Sequence, residues 1–154
     1  MESKVKGNLL VLGQFGLLAI LVFYPSRPIS FGSLSFLVSA VTAVLLVAGF
    51  GILGLSFLAL GKSLTAHPIP ASRGELVTDG LYRYARHPIY TGVLALGAAM
   101  TLLGGLIPHV FFYAALILLL NYKASFEEQL LRARYPEYAS YAAKTGRFLP
   151  KLKR

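Results

Sequence analysis

Residues 31–60 read FGSLSFLVSAVTAVLLVAGFGILGLSFLAL, 30 positions without a charged side chain. At 1.5 Å per residue, a helix over this stretch reaches about 45 Å, while the hydrocarbon core of a bilayer is about 30 Å thick. A helix of this kind crosses a membrane and must tilt, bend or protrude. Three further apolar runs flank it, from about Gly7 to Tyr24, Ile89 to Leu106 and Ile107 to Tyr122. The pattern predicts an all-α, polytopic membrane protein with four transmembrane helices in two hairpins. Pro25 and Pro28 mark the first hairpin turn, and Gly104, Gly105 and Pro108 the second. The first run follows Lys4 and Lys6, as the core of a signal peptide would. However, Tyr24-Pro25-Ser26-Arg27-Pro28 is a poor cleavage site, so the run reads as a retained anchor.

Composition agrees with this reading. Of 154 residues, 56% are hydrophobic and only 14% charged, yet the formal net charge is +9. Disordered chains are poor in apolar residues, and a soluble nucleic-acid binder would not carry this much Leu, Val and Ala. The absence of cysteine excludes a disulfide scaffold. With four spans, Lys4 and Lys6, the 61–88 loop and the C-terminal tail fall on one side, and Arg27 falls on the other. Fourteen of the fifteen Lys and Arg are then on one side, which the positive-inside rule makes cytoplasmic. Both termini are expected there.

The loop from Gly61 to Pro88 is polar and rich in Pro, Gly, Ser and Thr. After Lys123 the helical pattern continues, with Phe126, Leu130 and Leu131 on one face, so the fourth helix is expected to leave the membrane and run to about Arg134. Pro136 opens a short helix, Glu137 to about Lys144, which Gly146 closes. The chain divides into an N-terminal transmembrane hairpin (1–60) and a second part (61–154) of loop, hairpin and tail, together one integral domain.

Gly49-Phe50-Gly51-Ile52-Leu53-Gly54 has the letters of a dinucleotide-binding turn, but it lies inside an apolar helix without a preceding strand. It reads as a close-packing surface, with Gly13 and Gly16 as counterparts on the first helix. The histidines His67, His87 and His109 have no cysteine to join, and His109 is expected at the opposite face, so no metal site is expected. The chemically dense region runs from Leu76 to Gly92. It sets Tyr82, Tyr84, Arg86, His87 and Tyr90 within nine residues at a helix start, where anions are favoured. Anchoring and capping would account for each of these residues alone. The hairpin, however, returns Glu127 and Glu128 to the same level, and Arg, His, Tyr and paired Glu at a membrane edge make a functional-site candidate.

Two blocks carry a resemblance. The first is Leu76-Val77-Thr78-Asp79-Gly80-Leu81-Tyr82 followed by Arg86-His87-Pro88-Ile89-Tyr90-Thr91-Gly92. The second is Glu127-Glu128-Gln129-Leu130-Leu131, then Tyr135-Pro136-Glu137-Tyr138, Tyr141 and Arg147-Phe148-Leu149-Pro150. In this order and spacing, the chain over about residues 60–150 resembles the isoprenylcysteine carboxyl methyltransferase family of membrane methyltransferases. The resemblance implies S-adenosylmethionine as methyl donor, bound at the cytoplasmic face, and a lipophilic or lipid acceptor. It implies that Leu76, Val77 and Gly80 form a cofactor-pocket wall. Tyr82, His87, Tyr90 and Glu127 would line the cofactor, Arg147 would close the pocket, and Arg86 and Glu128 would serve the reaction. Leu81 replaces a usual proline and Pro136 a usual glycine. Relatives that act on prenylated proteins carry more spans, so methyl transfer is implied more firmly than a prenylcysteine acceptor.

Methyl transfer from a sulfonium needs alignment more than activation. A carboxylate acceptor, the favoured case, would need desolvation and a positioned cation, and Arg86 is the expected bidentate partner. Glu127 or Glu128 would bind the cofactor's amino group or order the ring of polar residues. An amine acceptor would need a base, such as His87 or a glutamate. Two other readings stand beside this one. A sterol-reductase-type enzyme using NADPH resembles the same region, but its pattern has Asn and Asp where this chain has Ile89 and Val93. A non-enzymatic membrane module would need no intact site.

Overall fold

A backbone in hydrocarbon has no partner but itself, and an α-helix satisfies its N–H and C=O groups within one segment. The computed structural model describes residues 2–27, 29–61, 75–105 and 107–151. The expectations at Pro28, Lys62, His67, Arg73 and Leu106 lie outside them. Among the described residues there are five α-helices and no strand: α1 (Glu2–Phe23), α2 (Ser35–Leu60), α3 (Pro88–Gly104), α4 (His109–Arg134) and α5 (Tyr138–Lys144). Short 3-10 turns, Gly32–Leu34 and Gly80–Arg83, precede α2 and α3.

Among the described residues three helical stretches, Ser3–Phe23, Gly32–Leu60 and His109–Arg134, are long and apolar enough to cross a membrane. The apolar α3 has 17 residues, a rise of about 25 Å. Its ends follow local chemistry. Pro88 occupies the first helical turn, where the N–H it lacks is not needed. Gly105 ends the helix in the left-handed conformation, φ 89°, donating to the Thr101 carbonyl. The fourth helix ends at Arg134, as its periodicity predicts, and α5 follows Pro136.

The polarity of α2 is inverted relative to a soluble helix. Its buried residues are Thr42, Gly49 and Ser56, seven apart, while Phe36, Val44, Val47, Phe50 and Leu58 are exposed. The two hydroxyls are satisfied within the helix, Thr42 on the Val38 carbonyl at 2.8 Å and Ser56 on the Ile52 carbonyl at 2.6 Å. Small residues inward and large apolar residues outward suit a helix whose solvent is lipid.

This seam faces α3. A Cβ on Gly92 would lie 2.9 Å from Leu53 Cγ and 3.0 Å from the Gly49 carbonyl oxygen, so the two backbones nearly touch. Of the glycine motif only Gly49 is a packing surface, and its counterpart is Gly92 and not Gly13 or Gly16; a Cβ on Gly51 or Gly54 would meet nothing within 4 Å. Gly13 instead faces Leu119 of α4, and nothing lies within 4 Å of a Cβ on Gly16. The helices consequently do not pack as two separate hairpins. Among the described residues α2 lies along α3, α1 runs antiparallel along α4, and α3 and α4 meet in the middle. The core, formed by Leu21, Tyr90, Val93, Leu116, Leu120 and Ala124, sits where α1, α3 and α4 converge. At one end Lys6 stacks over Tyr122 and Phe126. At the other, Tyr24 meets His109 edge-on, and the Arg27 N–H donates to the Gly104 carbonyl.

Widening the α2–α3 contact should be costly. Gly92→Val is expected to destabilise the protein by about 1–3 kcal/mol through overpacking, read as a lower thermal midpoint in detergent. Gly51→Val, at a position with nothing within 4 Å, should leave the midpoint unchanged; an equal loss at both positions would contradict this packing.

Candidate functional site

The segment entering α3 pairs with the C-terminal tail. Ala85 bridges to Gly146 in parallel sense. The Arg86 N–H donates to the Gly146 carbonyl at 2.8 Å and the His87 N–H to the Arg147 carbonyl at 2.9 Å. The Thr91 hydroxyl donates to the Phe148 carbonyl at 2.6 Å, and the Tyr141 hydroxyl to the Tyr82 carbonyl at 2.5 Å. Glycine is required at 146, because a Cβ there would sit 1.9 Å from the Leu149 carbonyl oxygen. Pairing of these two irregular segments brings Arg86 and His87 to Arg147, and all three to the end of α4.

Glu128, only 4% exposed, is the point where they meet. Arg86 Nε donates to its Oε1 at 3.0 Å, and Arg86 Nη2 is 3.0 Å from the same oxygen. His87 Nε2 lies 3.2 Å from Oε1. Arg147 reaches both oxygens, Nε to Oε1 at 3.2 Å and Nη2 to Oε2 at 3.1 Å. The remaining Arg86 nitrogen, Nη1, donates to the carbonyls of Ala142 (3.1 Å) and Thr145. Arg147 Nη1 donates to Asn121 Oδ1 at 2.7 Å and Ser125 Oγ at 3.1 Å. The His87 side chain does not cap α3; it turns to the two carboxylates.

Glu127 is held differently. Its Oε2 accepts from the Tyr90 hydroxyl at 2.8 Å and lies 3.6 Å from His87 Nδ1. Its side chain is 27% exposed against 5% for that of Glu128, so Glu127 is the carboxylate still open to a ligand. The His87 and Tyr90 rings stack at 5.2 Å, nearly parallel, and Phe148 leans on both. Burial pushes the Tyr141 phenol up to about 12 and raises those of Tyr82 and Tyr138, so all three are neutral donors at ordinary pH. Tyr138 is buried with a hydroxyl that has no protein partner, within electrostatic reach of Glu128 and Arg86.

Of the residues expected from sequence, Tyr82, Arg86, His87, Tyr90, Glu127, Glu128 and Arg147 come together here. Leu76 and Val77 are half-buried ahead of the turn, and Gly80, with φ 58°, lies by the end of α2, where a Cβ would be 3.8 Å from Ala59. His109 is at the far end of α4, under Gly104. Sequence reasoning missed Gln14, Asn121, Lys123 and Ser125. Lys123 donates to Gln14 Oε1 at 2.6 Å and lies over the Tyr90 ring. The available signals were a polar side chain inside an uncharged run and the Lys123–Glu127 spacing of one helical turn. No group of three or more His, Cys, Asp or Glu side chains suited to a metal converges among the described residues.

Comparison with known proteins agrees with the blocks quoted above. The chain is 31% identical over 157 residues to the cobalt-zinc-cadmium resistance protein CzcN of Cupriavidus metallidurans, covering 97% of this chain and 69% of that protein. It is 34% identical over 122 residues to the nickel-cobalt-cadmium resistance protein NccN of Alcaligenes xylosoxydans xylosoxydans, covering 73% of this chain and about half (53%) of that one. Residues 41–133, from within α2 to the end of α4, match the isoprenylcysteine carboxyl methyltransferase family. α1 and the tail that supplies Arg147 fall outside this match, although both pack onto it. Matched over more than half its length, and carrying the Arg86–His87–Glu128 cluster inside the match, the chain belongs to the isoprenylcysteine carboxyl methyltransferase family.

Proposed function

We propose that this protein is an integral membrane methyltransferase that moves a methyl group from S-adenosylmethionine to a lipophilic acceptor. The observation that carries the reading is the pairing of a closed carboxylate, Glu128, with an open one, Glu127, beside stacked aromatic rings. The residues fit the donor's chemistry. Glu127 offers a carboxylate for an ammonium, and the Phe148 ring, which leans on the stacked His87 and Tyr90, offers an electron-rich face for a sulfonium. The unpartnered Tyr138 hydroxyl offers a hydrogen bond. The donor, when bound, supplies an activated methyl on sulfur. Leu76, Val77 and Gly80 would wall the cofactor pocket.

The roles of the chain's own groups follow from how each is held. Glu128 gathers Arg86, His87 and Arg147, and so ties the tail over the start of α3. Arg86 spends its Nε and Nη2 on Glu128 and its Nη1 on two carbonyls, so it acts first by ordering the site. To grip an acceptor carboxylate through two nitrogens it would have to release Glu128. Tyr90 and His87 aim Glu127. Phe148 and the tail lie across residues 85–91 and cover that side of the site.

The proposal includes four spans, with α3 as the short one, both termini cytoplasmic and the site at the cytoplasmic face. Segregation of charge supports it: Lys6, Arg83, Arg86, Arg132, Arg134 and Arg147 belong to the site end, and Arg27 to the other. Contacts of α1 with α4 and α2 with α3 support one integral domain over 1–60 and 61–154. An acceptor embedded in lipid would reach the site sideways between helices. The names of the two relatives point to heavy-metal resistance. A part in such resistance would here run through methylation of a membrane component.

Calorimetric titration of the detergent-purified protein with S-adenosylmethionine should give saturable binding, and NADPH should give none. The opposite result would favour a reductase, and a folded protein that binds neither would be a membrane module. Glu127→Gln should weaken donor binding about tenfold, as expected for loss of a charge-assisted hydrogen bond. Glu128→Gln should cost on the order of 3 kcal/mol of stability, because it leaves buried cations without their counter-charge. Arg86→Lys cannot reproduce the bidentate contact; it should depress donor affinity and methyl transfer together in an assay with labelled donor and a lipid extract. Normal turnover in that variant would remove Arg86 from the site.

A further inference from the structure

α1 lies outside the family match and carries no motif, yet it sends one polar side chain into the protein toward the site. Gln14 is 7% exposed, and Lys123, which it meets, is 2% exposed. Lys123 Nζ donates to Gln14 Oε1 at 2.6 Å and lies 5.2 Å from the centre of the Tyr90 ring. Tyr90 in turn donates to Glu127 at 2.8 Å and stacks on His87. The contacts thus run in one line from α1 through α4 and α3 to the open carboxylate.

A plain anchor between α1 and α4 has no use for a buried ammonium. Apolar contact does that work deeper in the interface, as where Gly13 meets Leu119 and where Leu21 joins the core, and the other cation of the helix pair, Lys6 over Tyr122 and Phe126, lies at its end. Burying a charge in membrane-spanning helices is costly, and such charges mark function by default. The cation also has something to act on. Over the Tyr90 face it restrains the ring by cation–π attraction, which is strongest where water is excluded. Tyr90 has two partners to align, His87 and Glu127, and its tilt determines where its hydroxyl holds Glu127.

We propose that Lys123 is a positioning residue of the site, that Gln14 holds it in place, and that α1 is thereby part of the methyl-donor site. This rests on the methyl-transfer reading and deepens it. The prediction separates charge from adhesion. Lys123→Met and Gln14→Leu should each weaken S-adenosylmethionine binding about tenfold, the scale of one charge-assisted hydrogen bond. The double variant Gln14→Lys/Lys123→Gln exchanges the partners. It remakes the hydrogen bond between α1 and α4 but moves the ammonium off α4. Its thermal midpoint in detergent should return toward that of the unaltered protein, while donor affinity stays about tenfold low by calorimetry. Recovery of affinity together with the midpoint would reduce the pair to a packing contact and overturn the proposal. So would unaltered donor binding in folded Gln14→Leu. If the unaltered protein itself binds no S-adenosylmethionine, the proposed function fails and this inference fails with it; binding by the unaltered protein with no loss in the variants sinks only this inference.

Discussion

The carboxylate of Glu128 is the constraint on which the site depends. One acidic group near the end of α4 collects Arg86 and His87 from the entry to α3 and Arg147 from the tail. Beyond a single bridge, the pairing of the two irregular segments rests on a few isolated hydrogen bonds to backbone carbonyls, which the ion cluster reinforces. A buried carboxylate is tolerated because its oxygens are fully engaged, and the guanidinium groups bring further bonds to the backbone carbonyls of Ala142 and Thr145. The ion cluster ties together segments 42 and 19 residues apart in sequence, and it can do so only because α4 delivers Glu128 to the level where α3 begins.

That delivery depends on the inverted helix α2. With Thr42, Gly49 and Ser56 inward, α2 and α3 approach until the Gly49 carbonyl and Gly92 nearly touch. Close approach on one flank of α3 leaves its other flank for α4 and α1, and the core forms on that second flank. The same geometry separates the two ends of the molecule chemically. At one, Tyr24, His109 and Gly104 pack an apolar turn; at the other, arginines and glutamates cross-link segments outside the helices.

The helices were legible because their signals are local. Long uncharged runs, Pro88 at a helix start, Gly105 at a helix end and the Phe126–Leu131 periodicity each act within a few residues. The cluster of Arg86, His87, Tyr90, Glu127 and Glu128 was legible because the α3–α4 hairpin returns the chain to its own starting level. The partner of Gly49 was not legible, since any small residue at helical spacing offers the same surface and only the assembled bundle selects Gly92 over Gly13. The different duties of Glu127 and Glu128 were likewise hidden. Adjacent residues on a helix point about 100° apart, and which direction meets two arginines depends on where the tail lies.

The parts outside the family match bear on how the site is completed. The matched core supplies both carboxylates, His87, Tyr90 and Arg86, but it leaves them open on two sides. The tail covers one side, through Arg147 on Glu128 and Phe148 against the stacked rings. α1 covers the other, through Gln14 on Lys123. The two additions act on different carboxylates: the tail neutralises Glu128, and α1 works toward Glu127 through the Tyr90 ring. A pair of neighbouring acidic groups would repel if both were left alike. Enclosing one among cations and holding the other by a phenol lets both sit at one helix end, with a single open negative charge facing whatever the site receives.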